Sequence, residues 1–593
     1  MNLRRLLLAL ASAALLTTTI NAAELSAADL DKRRKALDDL IKERWEYGLK
    51  TSPEFASYLG DKRYNDQVSD VSEAEVQREL AVTKRDLARI RKIDTSGFSE
   101  QERLNKVLME QDLQHDVEDS WTHGYEMPVT QMGGIHLNAA TFPSYLSFTN
   151  VKDYDDFAKR MRAFPKQIDD TIANMRKGMA DKLMPPKFLL EKVAGQVDEL
   201  AANTAEKSPW FAPTNKFPDS VPEAERARIR ADYLDAINTS MLPSYRKFAK
   251  FVRDEYVPKG RTNVGVWSLP EGARRYATRV KRSTTTNLTP EEIHEIGLRE
   301  VQRIEGDMLA IAKSQGYNDL KSFNAAVEKN PDLRPKTSDD IVNAYRKYED
   351  QMYAELPKLF GRLPKAKLTV VAMEDFRAKN AAGADYDTGA ADGSRPGRVN
   401  VNTTKPSEHK NISFESTAYH EGVPGHHMQL SIAQELPTLP EFRRNGGYTA
   451  YVEGWALYSE RLGKEVGFYQ NPFNDYGRLQ DEMLRAIRLV VDTGLHSKKW
   501  TREQVVQFFH DHSAIDEFDV QNETDRYIVW PGQALGYKIG QLKILELRDR
   551  AKRELGDRFD IRAFHDEVLG AGALPMDVLE QRINDWIATQ KKG

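Results

Sequence analysis

The sequence predicts a mainly helical protein of two lobes with one small β-sheet. Apolar residues recur at three- and four-residue spacing over long stretches whose opposite faces are charged, as in amphipathic helices. Only two short segments read as strands, and 593 residues exceed what a single hydrophobic core usually organises. The expected division is an amino-terminal helical lobe over 23–288 and a second lobe over 289–593. No repeat of about 20–50 residues and no long low-complexity tract interrupts either.

Residues 1–22 have the pattern of a secretory signal: Arg4 and Arg5, an apolar run from Leu6 to Leu16, then small and polar residues up to Asn21, Ala22 and Ala23. That run is shorter than the about 20 apolar residues of a spanning helix, and no later stretch qualifies. The expectation is an exported protein, most simply periplasmic, without stable membrane insertion once the signal is removed. An uncleaved anchor is the competing reading, weakened by Thr17, Thr18 and Thr19. The chain has no cysteine, which excludes a lipid-modified cysteine at this site and any disulfide. Lys and Arg number 86 against 90 Asp and Glu, for a net charge of -4. Nothing in that balance attracts nucleic acid or an acidic membrane.

Helices are predicted over 25–47, 72–93, 151–182, 222–256 and 289–312. The last has a strong start, with Thr289 as cap, Pro290 in the first turn and Glu292 three residues on. Proline-rich breaks at 207–213 and 267–272 separate helical blocks. His136, in the Gly-containing loop 131–138, reads as a structural residue. Strands are predicted at 367–372 and 397–403, the second alternating strictly, on either side of a Gly- and Ala-rich loop at 381–396.

Chemistry concentrates in Tyr419-His420-Glu421-Gly422-Val423-Pro424-Gly425-His426-His427. Zinc takes neutral imidazole nitrogen and lowers the pKa of water at an open position, and a neighbouring glutamate can remove the proton. His420 and Glu421 supply a first ligand and a base. In the helical H-E-x-x-H pattern the two histidines lie on one face, about 6 Å apart along the axis. Here Pro424 occupies the second position. On a straight helix His426 would lie about 9 Å away on another face and His427 about 10.5 Å away on the same one. Neither could share an ion with His420. Pro424 lacks the N–H and clashes with the carbonyl of His420, and Gly425 tolerates unusual backbone, so the helix should break there and swing a histidine back. An ordinary turn with surface histidines is the alternative.

Downstream, 448–460 reads as an apolar helix that still carries Glu453, and a buried carboxylate is costly unless paired or bound to metal. Two histidines, a glutamate from a later helix and a glutamate beside the first histidine form the set used by thermolysin-like enzymes. Glu460, on the same face two turns on, has a competing assignment as a solvated partner of Arg461 or Lys464.

The strings HEGVPGHHMQ, YVEGWALYSE, VDTGLHSKKW and RYIVWPGQALGYKIG, in that order, resemble the bacterial family labelled domain of unknown function 885, grouped with the zincin-like metallopeptidases. The resemblance implies one zinc per chain on His420, His426 and Glu453, with Glu421 as base and His427 behind the ligands. It implies a zincin-like, oligopeptidase-like fold with the sheet beside the active-site helix. In such enzymes an edge strand pairs with substrate backbone, and Val399, Asn400 and Asn402 are the candidates here; a plain structural hairpin is the alternative.

Two further groups suit the same site. Arg488, Asp492 and His496 recur every four residues on an apolar helix and share one face. Either the stripe is an internal salt bridge or it faces the metal, with His496 donating to the oxyanion of the attacked carbonyl. Tyr527 and Tyr537 offer hydroxyl donors, favoured through the family resemblance. Arg488, Arg526 and Lys538 are candidate partners for a peptide carboxylate. The same resemblance implies hydrolysis of short peptides or release of carboxy-terminal dipeptides. A metal-dependent amidase of cell-wall peptides and a non-catalytic peptide-binding protein are the rivals, and the oligomeric state is left open.

Overall fold

The computed structural model describes residues 27–373, 383–389 and 395–592; the leader 1–22 and part of the Gly- and Ala-rich loop lie outside them. The architecture is mainly helical with one three-stranded sheet. Predicted helices form at Ala27–Thr51, Glu73–Arg91, Val151–Ala180 and Pro290–Ser314. The last begins as its sequence dictates: Thr289 accepts from the Glu292 N–H while the Glu292 side chain accepts from the Thr289 N–H. The segment predicted as one helix over 222–256 is continuous but widens into π turns at Ile237–Met241 and Val252–Tyr256. Each π turn lies just before a proline, Pro243 or Pro258, whose missing N–H and ring disturb the regular ladder.

Several cores hold the molecule. One is built within 129–257 around Phe157, Phe164, Trp210, Tyr233, Tyr245 and Phe248. His136 is buried there, hydrogen-bonded to Gln196, as a structural residue would be. The largest carboxy-terminal core joins Tyr419, Met428, Tyr451 and Trp455 to Ile544, Leu547 and the last helices. Tyr276 and Val280, on the amino-terminal side of residue 288, share a core with Ile293, Leu489, Leu535 and Ile539. Apolar packing therefore runs across that position in the chain. No helix among the described residues is long and apolar enough to cross a membrane.

The sheet differs from a hairpin. Strand β1 (Leu368–Ala372) runs parallel to β3 (Gly397–Val401), and β2 (Ala384–Asp387) pairs antiparallel with β3 on its other side, in the order β1-β3-β2. Strand β3 is therefore central, with both backbone edges taken. Val399 is fully buried, Asn400 donates to Asp385 and Asp387, and the Asn402 N–H bonds the Gly383 carbonyl. The expectation that Val399, Asn400 and Asn402 receive a substrate strand is corrected: strand addition requires a free edge.

The helices Thr449–Glu465 and Leu535–Leu555 cross at glycine. A methyl group on Gly454 would lie 2.5 Å from the Gly540 backbone, and one on Gly540 would lie 1.8 Å from the Ala450 carbonyl oxygen. Gly454→Val should lower stability by about 1–3 kcal/mol, the usual cost of overpacking. Gly306→Ala, on an exposed helical turn with open space around it, should raise stability by about 0.5–1 kcal/mol. Denaturant unfolding of both variants checks the pair; equal and small effects would contradict the glycine crossing.

Candidate metal centre

The motif forms two short helices, Phe414–Glu421 and His426–Glu435, separated by the predicted break. The break is tight. A Cβ on Gly425 would meet the His420 carbonyl oxygen at 2.0 Å, so only glycine lets the chain fold back onto the helix it has just left. The turn is fastened from two sides: Glu349 Oε2 accepts the Val423 N–H at 3.0 Å, and Trp455 Nε1 donates to the Pro424 carbonyl at 2.8 Å. His426 thereby returns to His420, with ring centroids 4.9 Å apart and planes at 89°.

The helix Thr449–Glu465 brings the carboxylate. Ser459 Oγ donates to the Tyr419 carbonyl at 2.9 Å, and Gln429 Nε2 donates to the Tyr451 carbonyl at 3.3 Å, so this helix is fixed to both halves of the motif. Glu453 Oε2 then lies 3.7 Å from His420 Nε2 and 3.6 Å from His426 Nε2. A tetrahedral ion with ligands at about 2.0–2.1 Å holds its ligand atoms about 3.4 Å apart, so these three atoms have the spacing of a shared metal. His420, Glu421 and His426 also offer ligand atoms within 4.8 Å of one another. Two carboxylates therefore converge on the imidazoles. Glu453 approaches both Nε2 atoms from the opposite helix, whereas Glu421 lies one residue from His420.

Glu460 has a role that sequence reasoning assigned to solvent. It is almost fully buried, and its Oε1 pairs with His420 Nδ1 at 2.7 Å. A carboxylate on the far nitrogen fixes the ring and leaves Nε2 directed at the centre, as in carboxylate–histidine–metal arrangements. The signal was its spacing, seven residues after Glu453 on the same face. Burial opposes charge on His420, but bonds to Glu453 and Glu460 outweigh it and raise its pKa to about 9. Burial likewise opposes charge on Glu453, yet the two histidines hold it well below the usual carboxylate range. Burial lifts Glu421 above that range, with His426 and His420 opposing. His427 faces away: Nδ1 meets Tyr386 Oη at 2.9 Å and Nε2 meets the Ala366 carbonyl at 3.2 Å, tying this helix to the sheet.

Most of the remaining predicted residues are committed elsewhere. His496 is buried, its Nδ1 accepting the Val266 N–H at 3.0 Å and its Nε2 lying 2.9 Å from the Tyr527 carbonyl. With both nitrogens occupied it has no donor for an oxyanion, and that expectation is corrected. The intrahelical salt bridge is not formed either. Arg488 pairs with Glu523 at 2.8 Å and donates to Tyr527 Oη, while Asp492 accepts from Tyr276 Oη at 2.6 Å and from the Gly532 N–H. The stripe fastens its helix, Pro472–His496, to three other segments. Tyr527 is buried and its hydroxyl donates to Glu523. Lys538 is fully buried between Glu482 and Glu300, and Arg526 is held by Glu523 and Gln533. Arg488, Arg526 and Lys538 are thus committed to internal partners, and Tyr527 is no free donor. Tyr537 is half-buried under the Arg488 guanidinium, and its hydroxyl has no hydrogen-bond partner among the described residues.

Residues 53–583 match the family described as bacterial protein of unknown function, DUF885. The chain belongs to that family. A crystal structure from Colwellia psychrerythraea, described as that of a candidate lipoprotein, is similar with a TM-score of 0.88 and 28% identity, covering 94% of this chain and 99% of that one. A candidate lipoprotein of unknown function from Shewanella oneidensis shares the fold, with a TM-score of 0.72 and 18% identity over 94% of this chain and 99% of that one. No curated protein matches the chain.

Burial lowers the His496 pKa to about 3, against an unfolded value near 6.5. The unfolded chain binds this proton first as pH falls, so the stabilisation is complete above about pH 6.5 and is lost toward pH 3, with a slope of at most about 1.4 kcal/mol per pH unit. His496→Ala should lower stability at neutral pH, flatten its acid dependence in that window and leave metal binding intact. Unfolding midpoints across pH check this; a parallel acid profile would contradict it.

Proposed function

We propose that this protein is an exported zinc-dependent peptidase acting on short peptides, with a zincin-like catalytic centre. One observation carries the reading: His420 Nε2, His426 Nε2 and Glu453 Oε2 converge at metal-ligand spacing beside a second, half-buried carboxylate, Glu421. A structural site would be closed by a fourth protein ligand, whereas three ligands and a nearby base suit hydrolysis. Zinc held there would supply a Lewis acid that polarises a carbonyl and makes water acidic near neutral pH. Glu421 takes a proton from the attacking water and returns it to the leaving amine. Its lifted affinity for protons suits both steps. Glu460 keeps His420 in the orientation that offers Nε2.

Tyr537 is the preferred donor to the developing oxyanion, because its hydroxyl is uncommitted and its helix crosses the Glu453 helix one turn away, at Gly540. The strand suited to pair with substrate backbone is β2, the sheet edge carrying Asp385, whose charge acts on Glu421. Backbone pairing there would give affinity with little side-chain selectivity, as a short-peptide hydrolase requires. Export is supported by the signal-like leader and by the description of the similar Colwellia psychrerythraea structure as a candidate lipoprotein, although these 593 residues offer no cysteine for a lipid.

Glu421→Gln should keep zinc and fold while losing hydrolysis of a peptide mixture by at least about 10²-fold, the scale of general-base catalysis. His426→Ala and Glu453→Ala should lose zinc, and His427→Ala should retain it. Metal analysis alongside mass spectrometry of the digested mixture checks both. Zinc-loaded protein that cleaves no peptide would contradict the activity, and zinc loss in Glu421→Gln but not Glu453→Ala would exchange the roles of the two carboxylates.

A further inference from the structure

A second group of ligating side chains lies in the amino-terminal half of the chain. His123, Glu126 and Asp181 offer ligand atoms that all lie within 4.8 Å of one another. His123 and Glu126 belong to a loop, and Asp181 ends the long helix Val151–Ala180. The two are pressed together at Gly178, where a Cβ would meet the Glu126 carbonyl oxygen at 2.2 Å.

Glu126 is the unusual member. It is fully buried, and neither carboxylate oxygen has a hydrogen-bond partner. A buried carboxylate left so is expensive, and native proteins normally bond it or place a cation on it. Two side-chain nitrogens come within ion-pair distance of it without a hydrogen bond. His123 Nδ1 lies 3.1 Å from Oε1 but is not aligned as a donor. Lys177 Nζ, 3.6 Å from the same oxygen, instead bonds Glu73 and Tyr125. The Arg275 guanidinium also acts on Glu126 through its charge, but its Nη1 is spent on the Thr122 carbonyl. Asp181 has no ion-pair partner among the described residues, and His123 is exposed enough to admit an ion from solvent.

We infer that His123, Glu126 and Asp181 form a second divalent-metal site, separate from His420, His426 and Glu453, which takes zinc or a similar first-row ion. One imidazole and two carboxylates are an N/O set such ions accept. Bound there, the ion joins the 123–126 loop to the end of the Val151–Ala180 helix. The loop also reaches the carboxy-terminal half, since Gln131 Nε2 donates to the Asp525 carbonyl at 3.1 Å. The site's role is structural: two of its three members are exposed, and the third, Glu126, is buried where loop and helix meet.

The test is equilibrium dialysis of the full chain against buffered zinc, with metal counted per chain. The parent should bind two zinc ions, and the double variant His123→Ala with Asp181→Asn should bind one. Both changes are at exposed side chains, so the fold should survive; circular dichroism checks that. His420→Ala with His426→Ala should retain the single ion of the second site. If the centre of the proposed function binds no zinc, the parent should bind one ion and the His123/Asp181 variant none, which still supports the inference. Equal zinc in the parent and the folded His123/Asp181 variant overturns it.

Discussion

The return of the chain at Gly422–Gly425 is the constraint on which the candidate centre depends. A histidine six residues after another cannot meet it on a straight helix, so the helix must stop, reverse and restart within four residues. That manoeuvre needs backbone in contact with backbone, and at Gly425 a Cβ would stand 2.0 Å from the His420 carbonyl oxygen. The freed polar groups are then re-bonded, Val423 by Glu349 and Pro424 by Trp455. Because Trp455 is on the helix that carries Glu453, one hydrogen bond both stabilises the break and sets the third ligand in place.

Several buried side chains around this point are held through at least one atom. Ser459 and Gln429 tie the glutamate helix to the motif, Glu460 orients His420, and Ser416 donates to Asp481 at 2.6 Å on the neighbouring helix. Such groups are costly when unpaired and fix a single arrangement when paired, so they favour rigid geometry at the centre over mobility. Farther out, Lys538 between Glu482 and Glu300, and Arg488 with Glu523 and Tyr527, do the same for the helices that flank it.

Much of this was legible in the sequence. Helix starts with caps and the break at Pro424-Gly425 follow from local rules, because proline, glycine and capping residues act over a few positions; the set His420, His426 and Glu453 was implied by the family resemblance, since spacing alone left His426 and His427 open. What was not legible depends on tertiary placement. The spacing of Arg488, Asp492 and His496 announces a polar face but not what it meets, and it meets Tyr276, Gly532 and Val266 instead of a metal. Alternation identifies β3 as a strand, yet its central position follows only once β1 and β2 are seen on both sides. Lys538 and Arg526 look like free cations in a string of letters, and their carboxylate partners come from distant helices or from an adjacent turn.

The most direct measurement is anomalous diffraction at the zinc edge from a crystal of zinc-loaded protein. A peak is expected about 2.0–2.2 Å from the Nε2 atoms of His420 and His426 and from a carboxylate oxygen of Glu453, with Glu421 unligated beside it. A peak bonded to His427, or none among these residues at full zinc loading, would contradict it.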